Sequence, residues 1–178
     1  MEELPLVLLD LNGILAYKTE NTVPENRPHV TTKYYKLVAR DGIEEFFRIA
    51  EGSFNVGIYS STFLPNIKKF IDGCMSSVRN QIKIIADCSV ASLDPGYGID
   101  KNLKKYDTVK TIERIIYHPI LNADRKWNFN NVLIVDHEER KLRFVEDRNR
   151  LILPEYKEGD TSPLLDIFDE IVMKLSKH

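Results

Sequence analysis

Short unbroken apolar runs alternate along this chain with longer stretches whose apolar residues recur at helical spacing. Leu6–Leu9, Phe54–Tyr59, Ile82–Ala86 and Val132–Val135 are runs of the first kind, and they read as strands buried on both faces. Leu151–Leu153 makes a short last strand. Lys33–Val38, with Tyr34-Tyr35 and Leu37-Val38 flanked by lysine, makes an edge strand. Helical spacing marks Gly42–Ala50, where Ile43, Phe46, Phe47 and Ala50 share a face, and the segment opened by Pro65 through Ile67, Phe70 and Ile71. Val109–Tyr117 repeats the pattern at Val109, Ile112, Ile115 and Ile116, and is closed by Pro119. Leu164–Leu175 is amphipathic through Leu165, Phe168, Ile171, Val172 and Leu175. Tyr17–Thr32 lacks periodicity and reads as a loop, and Asp94–Gly98 reads as a turn cluster. Strands alternating with helices predict a mostly parallel sheet with right-handed crossovers, in one domain spanning 1–178.

Composition narrows the function classes. A chain of 178 residues, 43% hydrophobic, can bury a sizeable core. Its net charge of −2 supplies no basic field, so nucleic acid is not an expected partner. Two cysteines, Cys74 and Cys88, do not make a disulfide framework and read as small buried apolar groups in a reducing compartment. No apolar stretch reaches the ~18 residues of a membrane span, and no signal-peptide charge pattern opens the chain. The expectation is a soluble intracellular protein, nuclear or cytoplasmic, with no membrane partner and an oligomeric state that the sequence leaves open.

Candidate chemistry sits where the buried strands stop. Leu6–Leu9 ends in Asp10-Leu11-Asn12-Gly13, Phe54–Tyr59 in Ser60-Ser61-Thr62, and Val132–Val135 in Asp136-His137. In a parallel sheet these ends share one edge, where open α/β folds hold ligands. A lysine-rich segment, Lys101-Asn102-Leu103-Lys104-Lys105, precedes the last of these strands. Such a set suits phosphoryl transfer: a carboxylate attacks phosphorus, a hydroxyl and an ammonium hold phosphoryl oxygens, and a hard cation offsets charge. Each residue also has an ordinary reading. Asp10 or Ser60 can cap a turn, Lys101 can belong to a solvated basic face, and Trp127 and Phe129 can be core or lid residues.

In this order the motifs resemble the haloacid dehalogenase superfamily, in the branch that includes phosphatases of the RNA polymerase II C-terminal domain. Arg40-Asp41-Gly42-Ile43 resembles an Arg-Pro-Gly segment entering a helix, Val56–Ser61 the second motif, Lys101-Asn102-Leu103 a Lys-Asp-Leu, and Val132–Asp136 the last catalytic strand. The Asp-Leu-Asn-Gly segment is most similar to divergent plant and protist members. The resemblance implies a three-layer, doubly wound α/β fold with a small edge hairpin or loop insertion. It also implies roles: Asp10 as the nucleophile and a Mg²⁺ ligand, Ser60 and Ser61 as phosphoryl-binding hydroxyls, Lys101 as the neutralising cation. Asp136 would pair with Lys101 and orient the metal.

Two departures bear on activity. Asn12 stands where the family's acid protonates the leaving group and activates water; its backbone carbonyl can still face a cation, but its amide cannot shuttle a proton. His137 stands where the family supplies an oxygen to the metal, and imidazole is a poor Mg²⁺ ligand. His137 can alternatively ligate a softer ion, act as a substitute acid, or, most simply, be a surface histidine, with His137–Arg143 a solvated helix start. The expectation is a weak or inactive phosphatase acting as a phosphopeptide- or protein-binding scaffold. The competing expectation is an active Mg²⁺-dependent phosphoserine/threonine phosphatase. A third is an interaction subunit that uses Tyr17–Thr32 and Tyr34-Tyr35.

Overall fold

Four consecutive apolar residues can all escape water only in a strand covered on both sides, and Leu6–Leu9 (β1) is wholly buried at the centre of a five-stranded sheet. The computed structural model describes residues 3–177. After β1 the chain forms β2 (Ala16–Thr19), β3 (His29–Thr31), β4 (Lys36–Ala39), α1 (Ile43–Ala50), β5 (Asn55–Tyr59), α2 (Leu64–Cys74) and β6 (Ile82–Ala86). It continues through β7 (Ser92–Leu93), β8 (Thr108–Val109), α3 (Glu113–Ile116), β9 (Val132–Asp136), β10 (Arg150–Ile152) and α4 (Phe168–Leu175).

The central sheet has the order β10-β9-β1-β5-β6, and every pairing in it is parallel. From β1 the chain winds outward through β5 and β6, then returns to the other side of β1 as β9. The winding therefore reverses between β1 and β9, and the ligand crevice of such a sheet opens at that reversal. Leu9 pairs with Val135, so Asp10 and Asp136 follow side by side at the carboxyl edge.

Period-two alternation divides the sheet's side chains between two layers. Val7, Leu9, Leu133 and Val135 join Phe46, Phe47, Phe70 and Ile171 beneath α1, α2 and α4. Leu6, Leu8, Val132 and Ile134 pack on the opposite face with Ile112, Ile115, Trp127 and Leu142. The result is the three-layer α/β architecture expected. Trp127 lies in the core, its loop fastened by Asn122, which donates to the Ile116 and Trp127 carbonyls at 2.8 and 2.9 Å and accepts from the Trp127 amide at 3.0 Å.

Five sequence expectations change. Tyr17–Thr32 is not all loop: its ends form β2 and β3 on either side of β4 in a separate antiparallel sheet. These strands are too short for periodicity to register, and the strand expected over Lys33–Val38 is the middle of that sheet at Lys36–Ala39, not an edge. Val109–Tyr117 is helical only over α3, because Thr108 and Val109 pair with β7. Leu164–Leu175 begins as a 3-10 turn over Leu164–Ile167 before α4. His137–Arg143 holds a 3-10 turn over Glu139–Leu142. Cys74 and Cys88 are free and half-buried. No described helix is long and apolar enough to cross a membrane.

Candidate active site

Three polar residues bury themselves together at the β1/β9 reversal, and burial of charge demands pairing. Lys110 Nζ donates to Asp10 Oδ1 at 2.9 Å and to Asp136 Oδ2 at 2.6 Å, and the lysine side chain is fully buried. Its backbone amide is held by the Lys141 carbonyl at 2.8 Å, which fixes the short segment after β8 against the 3-10 turn that follows β9. The ammonium also lies 5.5 Å from the centroid of the Tyr59 ring. Burial acts to lower the Lys110 pKa, but the two carboxylates outweigh it and hold the lysine charged. Burial raises the Asp10 pKa, with the Asp136 charge adding to it and Lys110 pulling against it. At Asp136 burial also pushes upward, but Lys110 and the Glu138 backbone amide prevail and keep the carboxyl below its usual range.

His137 completes the cluster. Its Nδ1 lies 3.7 Å from Asp10 Oδ2 and 3.4 Å from Asp136 Oδ1, the two oxygens that face away from Lys110. That ring is seated by Gly13: a Cβ there would overlap the imidazole, and the glycine's φ of +91° suits no other residue well. The Asp10–Ala16 loop is tight, with the Gly13 amide bonded to the Ala16 carbonyl at 2.7 Å, and it leaves Asn12 half-buried. The expected surface histidine is thus a covered one, its side chain only 9% exposed, because the glycine opposite makes room for the ring.

Ser60 is buried at the same edge, one residue beyond β5, where its Oγ accepts from the Thr62 amide at 3.0 Å. Ser61 Oγ and Thr108 Oγ1 lie 2.8 Å apart, tying the loop after β5 to the strand that delivers Lys110. Lys101 is not with them. It is exposed in the turn beyond Tyr97–Asp100, and the lysine in contact with both aspartates is Lys110. Lys101-Asn102-Leu103 matched a motif in wording, while the helical spacing of Val109, Ile112 and Ile115 hid Lys110 inside an apparent helix. The flanking Thr108, Val109 and Thr111, β-branched and strand-prone, carried the contrary signal.

Arg40 is buried too, but it turns to the scaffold. It donates to the Ile14 carbonyl at 3.2 Å and to the Ser162 carbonyl at 2.9 Å, bracing the loop after Asp10 against the C-terminal segment. A surface cleft of about 570 Å³ lined by Tyr117, His118, Trp127 and Phe129 shares no residue with this site.

The sequence profile of the NLI interacting factor-like phosphatases matches residues 5–178. The chain belongs to this family. An uncharacterized FCP1 homology domain-containing protein of Schizosaccharomyces pombe is 23% identical over 136 residues, 76% of this chain and 55% of that protein. The fission yeast RNA polymerase II CTD phosphatase Fcp1 bound to beryllium fluoride superposes with a TM-score of 0.52 at 11% identity, covering 99% of this chain and 51% of that one. A second structure of Fcp1, described as an essential RNA polymerase II CTD phosphatase, gives 0.55 at 10% identity over 99% and 49%. The chain spans about half the length of these relatives, and at such identity the two structures establish the fold alone.

In this NLI interacting factor-like domain Asp10, Asp136 and His137 form a cluster of side-chain donors that could hold a cation, their ligand atoms all within 4.8 Å of one another. They do not fit magnesium. That ion keeps an octahedral shell of oxygens, and here a nearly buried imidazole nitrogen fills the third position.

Proposed function

We propose that this domain holds a phosphorylated side chain of a protein partner against Asp10 and turns it over weakly or not at all. The observation that carries this reading is Asn12. It stands two residues after Asp10, where the resemblance calls for a carboxylic acid, and an amide neither protonates a leaving group nor activates water. The binding half of the chemistry has its groups. Lys110 carries three N–H donors, two of which go to the aspartates, leaving one for a phosphoryl oxygen. Lys141 is close enough to act on the charge of Asp10, and Asp10 on that of Lys18, so further cations fringe the crevice. Ser60 supplies a hydroxyl from the neighbouring strand end.

Hydrolysis of p-nitrophenyl phosphate and binding of a phosphoserine peptide, read by fluorescence anisotropy, test this together. The peptide binds in its phosphorylated form and not in its unphosphorylated form, while turnover rises by about 100-fold or more in Asn12→Asp. Wild-type turnover equal to that of Asn12→Asp would refute the weakened-enzyme reading.

A second reading rests on the Asp10–Lys110–Asp136 triad. An active phosphoserine/threonine phosphatase would use Asp10 to accept the phosphoryl group as an aspartyl-phosphate, with another group serving as proton donor. It requires that Asp10→Asn abolish a measurable wild-type rate.

A further inference from the structure

We infer that Asp10, Asp136 and His137 form a site for a tetrahedral transition-metal cation of the Zn²⁺ type in place of magnesium. This rests on the same crevice as the proposed phosphate site. Three observations support it.

The first is an orphan. His137 Nδ1 is buried and has no hydrogen-bond partner among the described residues, although it lies between two carboxylate oxygens. Its separations of 3.4 and 3.7 Å exceed an ordinary N–H···O bond, which is about 2.7–3.2 Å long. The second is the size of the gap. Bonds of about 2.0–2.2 Å at a tetrahedral angle set two donors about 3.4 Å apart. Octahedral bonds of 2.0–2.1 Å set neighbouring donors about 2.9 Å apart. The spacing of His137 from both aspartates is the wider one. The third is charge. Two buried carboxylates face one ammonium, and Lys110 engages only the oxygens turned away from the imidazole. Asp10 Oδ2 and Asp136 Oδ1 therefore lie outside the Lys110 contact, and the latter accepts from the Glu138 amide at 3.0 Å.

A mixed carboxylate–imidazole set selects borderline cations over hard ones. Two carboxylates and one imidazole supply three protein ligands, leaving a fourth position open toward the crevice. The imidazole is seated by Gly13 on one side, and Glu138 and Glu155 lie 3.6 and 3.8 Å from its Nε2, beyond hydrogen-bond length but near enough to favour a proton there and leave Nδ1 free to ligate.

The test uses the full chain stripped of metal, titrated with Zn²⁺ against a chromophoric chelator and separately with Mg²⁺ by calorimetry. One Zn²⁺ binds per chain, at least 100-fold more tightly than Mg²⁺. His137→Asn weakens Zn²⁺ at least tenfold without weakening Mg²⁺, and His118→Asn, at the distant cleft, changes neither. Co²⁺ in the wild-type site gives the intense visible bands of a tetrahedral ion, and His137→Asn removes them. Zinc affinity indifferent to His137→Asn, no stoichiometric zinc, or equal affinity for magnesium would each overturn the assignment. His137→Gln serves if His137→Asn melts early. Phosphopeptide binding by the same metal-free protein reads the proposed function independently, so either claim can fail without the other.

Discussion

Replacing Lys110 by methionine removes the cation that contacts both Asp10 and Asp136 while keeping much of the side chain's volume. The lysine and Asp136 side chains are fully buried and Asp10 is 3% exposed, so little water can move in to solvate the remaining charges. Breaking a buried ion cluster from one side costs about 3–5 kcal/mol. For a chain of this size each kcal/mol lowers Tm by about 2–4 °C, which gives a fall of about 6–20 °C by calorimetry at pH 7.5. The pH dependence follows from the pKa directions. In the variant one carboxyl is forced above its unfolded value by its neighbour, so its favourable contribution exists only at low pH and is lost as pH rises. In the wild type the depressed Asp136 works the other way, its contribution being lost as pH falls. The gap between the two proteins therefore narrows toward pH 4.5. Converting both aspartates to asparagine beside Lys110→Met removes the stranded charges and restores at least half of the loss. A change below 2 °C that is also independent of pH would refute the buried triad.

Asn12→Asp restores an acid beside Asp10, and positioned acid/base catalysis is worth about 10²–10⁴-fold, so p-nitrophenyl phosphate turnover should rise within that range. Gly13→Ala costs about 1–2 kcal/mol from its left-handed backbone alone, seen as a lower Tm, and by displacing His137 weakens zinc in the chelator titration. Asp94 is held well below the usual carboxylate range by hydrogen bonds from Arg143, with the Gly96 amide and Arg140 assisting. Its contribution is therefore present above the ordinary aspartate pKa of about 3.9 and lost below it; the Tm deficit of Asp94→Asn should be largest near neutrality and shrink as pH falls past that value.

Much of the fold is written in local pattern. Leu6–Leu9 and Val132–Val135 are apolar on both faces, which only a strand inside a covered sheet explains, and both lie in interior strands of the central sheet. Each of these runs stopped at a carboxylate, so Asp10 and Asp136 could be paired from sequence alone. Lys110 could not. Its burial depends on two aspartates from distant strands, a long-range fact; the only local trace was the β-branched Thr108, Val109 and Thr111 beside it, and the apolar spacing around it imitated a helix. His137 was misread for the same reason, since its covering depends on a glycine across the crevice at Gly13. Of the antiparallel sheet only the strand at β4 was legible in the residue pattern, because β2 and β3, three or four residues long inside a proline- and asparagine-rich stretch, hold too few turns of any period.

The most direct measurement is a crystal structure of the protein soaked with beryllium fluoride, a phosphoryl mimic that joins an aspartate oxygen. The account predicts the beryllium on a carboxylate oxygen of Asp10, with Lys110 still bound to Asp136 and Ser60 facing a fluorine. An ordered fluoride complex elsewhere, with Asp10 and Lys110 still closed on each other, would contradict it.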